Sequence, residues 1–379
     1  MSDRIKLFAT FLPQYHRDKR NDAWWGAGFT EWDNVKGAHS NFSGHVQPKI
    51  PLDGYYDLSD PEEIGRQCEL AHSSGLDGFV IYHYWSNGER LLSKPLDLIL
   101  SNSWIETSFS LCWANHPWTR TWRNRVGALD VLMPQEYGDQ NKHFQFLCEV
   151  FSDERYSHVC GRPIFYLYKA ADIPFLSNWC AEFRGFVKNT LGVDPFLVSM
   201  AKTSSDMRDA CLFDAICLFQ PSAALYAGAN LNKSGSDTLA VRLRTTSPSV
   251  RKIFYRIQDL LPAKPRKFSY SQHVDACIEQ YCETACASQT PIIPMVCVGF
   301  DNTPRYKSRA TIFDDFSIQE FERLLTSIIE TKQKEISRDD PAFDAVILNS
   351  WNEWGEGMYL QPDAEFGNSK LKVVSKLRS

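Results

Sequence analysis

No run of 18 consecutive apolar residues occurs in the 379-residue chain, so the sequence offers no helix that would cross a membrane. A Cys-x-x-Cys pair is also missing. The 11 cysteines are odd in number and scattered, which reads as reduced, mostly buried thiols in a cytoplasmic setting. No Gly-x-Gly-x-x-Gly follows a strand pattern and no P-loop exists, so no nucleotide-phosphate cradle is recognisable. The Gly-x-Ser-x-Gly elbow of serine hydrolases is lacking. So is an Asp-x-Asp pair, by which many sugar-nucleotide transferases hold a metal. Excess charge of one sign is small: 41 Lys and Arg against 46 Asp and Glu leave −5. That excludes a polyanion-binding chain and gives no expectation of a nucleic-acid partner. The apolar run at Ile5–Leu12 has the length of a strand and lacks the small residues of a signal-peptide cleavage site.

What the chain does have is aromatic side chains, 13% of residues, including 11 Trp and 15 Tyr. It also has short, nearly continuous apolar runs of the kind expected for strands buried on both faces. Eight such runs occur: Ile5–Phe11, Gly78–Tyr84, Phe109–Trp113, Ile164–Tyr168, Pro195–Met200, Phe213–Phe219, Ile292–Val298 and Ala345–Ser350. Helical patterns separate them at Pro61–Ser74, Leu91–Leu100, Lys142–Phe151, Phe175–Thr190, Ser204–Ala210, Val274–Ala287 and Ile318–Lys334, with a last one at Lys370–Leu377. Strand and helix alternating in this way predict an α/β fold, a (β/α)8 barrel spanning residues 1–379 as one domain. A doubly wound sheet is the architectural rival.

Residues 221–271 form a long insertion between the sixth and seventh runs. From Lys233 to Lys267 it carries nine Lys or Arg and two Asp, so 9 − 2 gives +7. Val250, Ile253, Phe254, Ile257, Leu260 and Leu261 follow helical spacing opposite Arg251, Lys252 and Arg256. The reading preferred here is a helix docked on the barrel with a solvated basic face. Peripheral contact of 250–261 with an anionic membrane surface is the alternative.

In such a barrel the active site lies on loops after the C-terminal ends of the strands. Those loops hold Trp24, Trp25, Trp32, Trp85, Trp113, Trp118, Trp122, Trp351 and Trp354, and only Trp104 and Trp179 fall elsewhere. Indole faces suit the C–H faces of sugar rings, while sugar hydroxyls need Asn, Asp, Glu and His nearby. Packing of the long loops would also use tryptophans. The rim supplies polar groups at Gln14, Tyr15, His16, Glu31, His83, Tyr84, Asn115, Asp301 and Asn302, which together with Trp25, Trp32, Trp85 and Trp113 form the expected carbohydrate-binding shell. His16, His83 and His116 have no diagnostic ligand spacing, and Cys277, Cys282 and Cys286 read as buried thiols, so neither a metal nor another cofactor is expected.

The sharpest element is Trp351-Asn352-Glu353-Trp354-Gly355-Glu356-Gly357, directly after the eighth run. Two carboxylates three residues apart, framed by tryptophan and glycine, suit glycoside chemistry, in which one carboxyl protonates the leaving oxygen and the other acts at the sugar. Crowding and burial against indole should raise one of the two pKa values. Trp351, Asn352 and Trp354 are expected to contact substrate beside them.

Several motifs now resemble a known family in combination. They are Phe11-Leu12-Pro13-Gln14-Tyr15-His16, Trp24-Trp25-Gly26, Gly28-Phe29-Thr30-Glu31-Trp32, Tyr82-His83-Tyr84-Trp85, Cys112-Trp113-Ala114-Asn115, Asp301-Asn302-Thr303 and the Trp351–Gly357 segment. In this order they resemble the WbsX-type family, also called glycoside hydrolase family 99-like. The resemblance implies a (β/α)8 barrel and a role in bacterial surface polysaccharides such as O-antigen or capsule. The family is labelled a glycosyltransferase of lipopolysaccharide biosynthesis, whereas the related family 99 enzymes are retaining endo-α-mannosidases. By that resemblance Glu353 deprotonates the sugar 2-hydroxyl, which attacks the anomeric carbon to give an epoxide-like intermediate, and Glu356 is the general acid and then the base. His116 and Pro117 stand where the family usually has Glu and Asn, and Phe300 where it has Trp.

Three functions follow as expectations. The first is a carbohydrate-active enzyme that cleaves or transfers a glycosidic bond of an oligosaccharide or polysaccharide, free or lipid-linked. The second is a sugar-nucleotide glycosyltransferase, and the third a non-catalytic glycan-binding barrel.

Overall fold

The computed structural model describes residues 5–119, 131–227, 264–336 and 344–378. Eight parallel staves form the centre. They are β1 (Lys6–Phe11), β2 (Gly78–Ser86), β3 (Phe109–Trp113), β4 (Arg162–Leu167), β5 (Phe196–Ala201), β6 (Ala215–Leu218), β7 (Ile292–Ile293 continued by Met295–Cys297) and β8 (Ala345–Asn349). Each pairs with the next, and β8 pairs with β1 through Leu7 opposite Val346. The ring closes through β7, whose first half meets β6 at Ile216 opposite Ile292 and whose second half meets β8 at Met295 opposite Ile347. Pro294 divides the halves because it has no N–H to donate, yet its carbonyl still accepts from Ile347 N at 3.1 Å. Counted as hydrogen-bonded segments the barrel has nine parallel strands; counted as staves it has the expected eight.

Burial explains why these residues make strands. All nine residues of β2 are buried, as are five of six in β1 and all of β3, β5, β6 and β8. A stave covered by helices outside and by other side chains inside has no wet face, so no alternation appears in its sequence.

The outer helices are α1 (Pro61–Ser73), α2 (Lys94–Ser101), α3 (Gln140–Phe151), α4 (Leu176–Leu191), α5 (Tyr270–Ala287), α6 (Ile318–Ile336) and α7 (Ser369–Lys376). Local signals set their ends. Asp60 accepts from Glu62 N at 3.0 Å ahead of Pro61 in α1, and Gly192 closes α4 in the left-handed conformation. One expected helix does not form. Between β5 and β6 the Ser204–Ala210 pattern resolves into two short 3-10 turns, Ser204–Met207 and Ala210–Leu212. Thr203 and Asp206 cap each other there, but a segment this short cannot offset the cost of nucleating an α-helix.

On α5, Cys277 is buried with its Sγ 3.2 Å from His273 Nε2, while Cys286 is exposed. Among the described residues no group of three or more His, Cys, Asp or Glu is placed to hold a metal ion, and no helix is long and apolar enough to cross a membrane. The basic amphipathic pattern at 250–261 lies outside the described residues.

Candidate active site

The segment after β8 folds back on itself. Asn352–Glu353 pairs antiparallel with Met358–Tyr359 around the turn Trp354–Glu356. Its framing residues hold it rather than face outward. Asn352 accepts from Leu12 N at 2.7 Å and donates to Leu12 O at 3.0 Å, which ties the turn to the end of β1. Trp351 is buried and donates to Gln67 on α1 at 3.0 Å. Trp354 stacks on Tyr359 with centroids 3.7 Å apart and donates its indole N–H to Gln361, while its backbone N–H donates to the Tyr15 hydroxyl at 2.9 Å.

Held this way, Glu353 and Glu356 reach Arg305, which sits in the turn Thr303–Tyr306 after β7. Arg305 Nη2 donates to Glu353 at 2.8 Å, Nη1 to Glu356 at 2.7 Å and Nε to Glu31 at 2.9 Å. Gly355 is required by this close approach: a Cβ there would stand 2.3 Å from Glu31 Oε1 and 2.9 Å from Arg305 Nε. Glu31 arrives on the short helix Glu31–Lys36, whose Thr30 and Asp33 form a capping box.

Three carboxylates on one guanidinium would leave two uncompensated negative charges in a buried place, so not all of them ionise. Burial raises the Glu353 carboxyl to about 8; Arg305 opposes the rise, and Glu356 and Glu31 add to it. The Glu31 carboxyl is raised too, again mainly by burial against the opposing pull of Arg305. The group that carries the proton in the resting site is therefore the Glu353–Glu31 side of the cluster. Its protons belong to a coupled set rather than to single residues.

Above the cluster opens a cleft of about 340 Å³ at the C-terminal mouth of the barrel. Gln14, Trp25, Tyr84, Glu353 and Glu356 line it, joined by residues the sequence reading had not assigned to the site: Tyr82, Trp118, Tyr168, Phe219, Arg305 and Asn349. His116 and Pro117 line it as well. Asn349 belongs to a polar layer beneath, accepting from Thr10 Oγ1 at 2.7 Å and donating to Gln220 O at 2.7 Å.

The rest of the expected shell lies elsewhere. Trp32, Trp85, Trp113, Trp351 and Trp354 are all buried and pack the loops onto the barrel. The indole N–H of Trp32 donates to Tyr56 O and that of Trp113 to Trp85 O, so for these rings the loop-packing reading describes their place. His83 faces α3, where its Nε2 lies 3.1 Å from that of His143, on which Trp85 stacks. His16 is buried with Nδ1 3.0 Å from Arg17 O. Tyr15 and Asn352 brace the turn, and Asn115 holds the loop after β4 through Lys169 N and O. Asp301 accepts from Gln47 at 2.5 Å and lies 2.8 Å from His45 Nε2, and Asn302 accepts from Thr311 N at 2.7 Å. Trp122 lies outside the described residues.

The sequence profile of the glycosyltransferase family WbsX matches residues 7–374. Two relatives, each called uncharacterized protein WxcX, come from Xanthomonas campestris pv. campestris. They are 30% identical for strain B100 and 31% for strain ATCC 33913, over 97% of this chain. This chain spans about half of their length, 49% in both cases. Among solved structures the fold is similar to that of the GH99 endo-alpha-mannosidase of Bacteroides thetaiotaomicron, with TM-score 0.57 and 12% identity, covering 99% of this chain and 96% of that one. A glycoside hydrolase-like protein gives TM-score 0.57 and 13% identity over 99% and 94%.

Proposed function

This chain belongs to the WbsX glycosyltransferase family, and from that premise we propose that it cleaves or transfers a glycosidic bond with retention, using Glu353 and Glu356, in bacterial surface-polysaccharide metabolism. The observation that carries the proposal is the pair of cleft-facing carboxyls joined on Arg305 at the C-terminal mouth of the barrel. A solved barrel of the same fold is described as an endo-alpha-mannosidase, which favours hydrolysis over transfer. The proposed substrate is an oligosaccharide or polysaccharide, lipid-linked where the protein works at the inner membrane face.

In the proposed reaction the proton held on the Glu353 side of the resting cluster first passes to Glu356; the ionised Glu353 then takes the proton of the sugar 2-hydroxyl, and O2 attacks the anomeric carbon. Glu356 gives its proton to the departing glycosidic oxygen as that bond breaks. Water or an acceptor hydroxyl then adds to the anomeric carbon as its bond to O2 breaks, losing a proton to Glu356, while Glu353 returns a proton to O2. A carboxylate whose conjugate acid sits near 8 is a stronger base than an ordinary one, which suits abstraction from a hydroxyl. With one proton shared by the pair, kcat/KM of the free enzyme is expected to hold steady up to about pH 7 and to fall roughly tenfold per pH unit above about pH 8, where that proton is lost. A profile that instead rises through about pH 8 would show that the reaction does not need this proton.

The direct test is mass spectrometry of the purified protein incubated with oligosaccharides and lipid-linked repeat units in heavy-oxygen water, with and without sugar nucleotides. Heavy oxygen entering a new reducing end is the expected result. Chain growth without a nucleotide would make the same chemistry a transglycosylation. The family's description as glycosyltransferases favours a second reading, transfer from a sugar nucleotide, and growth that depends on the nucleotide would replace the first reading with it. No product under any condition would overturn both.

A further inference from the structure

Lys202 follows directly on β5 and stands beside the cleft. Its Nζ lies 3.5 Å from the Tyr168 ring centroid and 4.7 Å from that of Phe219, two rings that line the cleft. The neighbouring carboxylates are already committed. Asp206 accepts from the backbone N–H groups of Lys202 and Thr203 at 2.9 Å each, and Glu356 is engaged by Arg305. Lys169, the next cation, pairs with Asp172 at 3.2 Å. Lys202 makes no ion pair among the described residues. Burial, followed by the repulsion of Lys169, lowers its ammonium to about 7, with Glu356 and Asp206 opposing.

A second group converges on the same wall. The His116 ring lies 5.3 Å from that of Tyr168, centroid to centroid, and its buried Nδ1 has no hydrogen-bond partner. Burial, with Lys202 and Lys169 adding to it, lowers this imidazole to about 3, so it is neutral and offers one N–H. An ammonium without a counter-charge and an imidazole with an unused nitrogen, placed on one aromatic wall of a sugar-sized cleft, form an incomplete polar site.

We propose that Lys202 and His116 form an oxyanion subsite in the cleft, so that the glycan carries an acidic group: the carboxylate of an acidic sugar or the phosphate of a glycosyl phosphate. The inference rests on the reading of this cleft as a glycan site and adds to it the charge of the substrate. The oxyanion accepts hydrogen bonds from the Lys202 ammonium and the His116 ring while the sugar lies along Tyr168 and Phe219. Neutral glycans leave both groups unpaired and bind more weakly.

The test is an NMR titration of the full chain carrying 13C-methylated lysines. Sodium glucuronate, α-D-glucose 1-phosphate and D-glucose are added at constant ionic strength, and the Lys202 signal is identified by its loss in Lys202→Met. The expected result is a saturable shift with at least one oxyanion, a rise of the Lys202 pKa by about one unit, and no response to glucose. The stronger of the two oxyanions names the source of the charge. His116→Asn keeps the Lys202 signal and is expected to weaken the oxyanion at least about threefold, so the test does not depend on the folding of the lysine variant. A response no larger than that to sodium chloride, or equal with glucose, overturns the subsite. The titration needs no turnover, so a saturable shift in a catalytically silent protein would remove the proposed reaction and keep the subsite. Turnover without the shift would do the reverse.

Discussion

Glu356→Gln is expected to lower kcat by about 10²–10⁴-fold with little change in glycan binding. The amide keeps the shape of the carboxyl, and its oxygen still accepts the Arg305 Nη1 hydrogen bond now made at 2.7 Å. What it loses is the exchangeable proton, needed once for the leaving oxygen and once for the incoming nucleophile. Because Glu356 is the less buried of the two carboxyls in the cleft, the melting temperature should move little, which separates a chemical effect from a folding one. Equal turnover in wild type and variant would remove Glu356 from the reaction.

Arg305→Met should cost more than activity. Breaking a buried ion cluster by removing one partner typically costs about 3–5 kcal/mol, because the remaining charges are left without compensation. Here two of the partners, Glu31 and Glu353, are themselves buried. Arg305 now pulls both carboxyls down against the upward push of burial. Without it their pKa values in the folded protein move further above the unfolded values. A raised pKa in the folded state contributes stability that is present at low pH and lost as pH rises through it. The deficit of the variant relative to wild type should therefore grow as pH rises from about 7 to about 9 in urea denaturation, the range in which Glu353 ionises in folded wild type but stays protonated in the variant. A deficit that is absent, or that shrinks over this range, would show that the guanidinium does not govern these protons.

Arg305 also marks what the sequence left illegible. An arginine after Thr303-Pro304 in a polar loop reads as solvated, and its principal partner Glu31 is 274 residues away. Only closure of the barrel reveals the pairing. The staves, by contrast, were readable one by one, because burial on both faces writes itself as an unbroken apolar run. The glutamate pair was readable as well, since glycine and tryptophan around two carboxyls have few ordinary uses. Tryptophan position proved less informative than tryptophan number. Trp25 follows one stave and Trp113 ends another, yet the first lines the cleft and the second is wholly buried. An indole that seats a loop and one that faces a sugar share the same sequence context, so burial alone separates them. The failed helix at Ser204–Ala210 shows the converse, a pattern with the right periodicity and too little length.

The span of the contacts at the cluster has a temporal meaning. Glu31 enters early in the chain, Arg305 follows β7, and Glu353 and Glu356 follow β8, so the group exists only after the first and last staves have met. Loop-closure entropy makes such distant pairings costly to form ahead of the rest. During synthesis the first six staves emerge before any residue of the Arg305 loop or the Trp351–Gly357 segment exists. A nascent or partly assembled chain thus presents glutamates that are solvated, ionised and chemically ordinary. Reactivity is a property that this polypeptide acquires last.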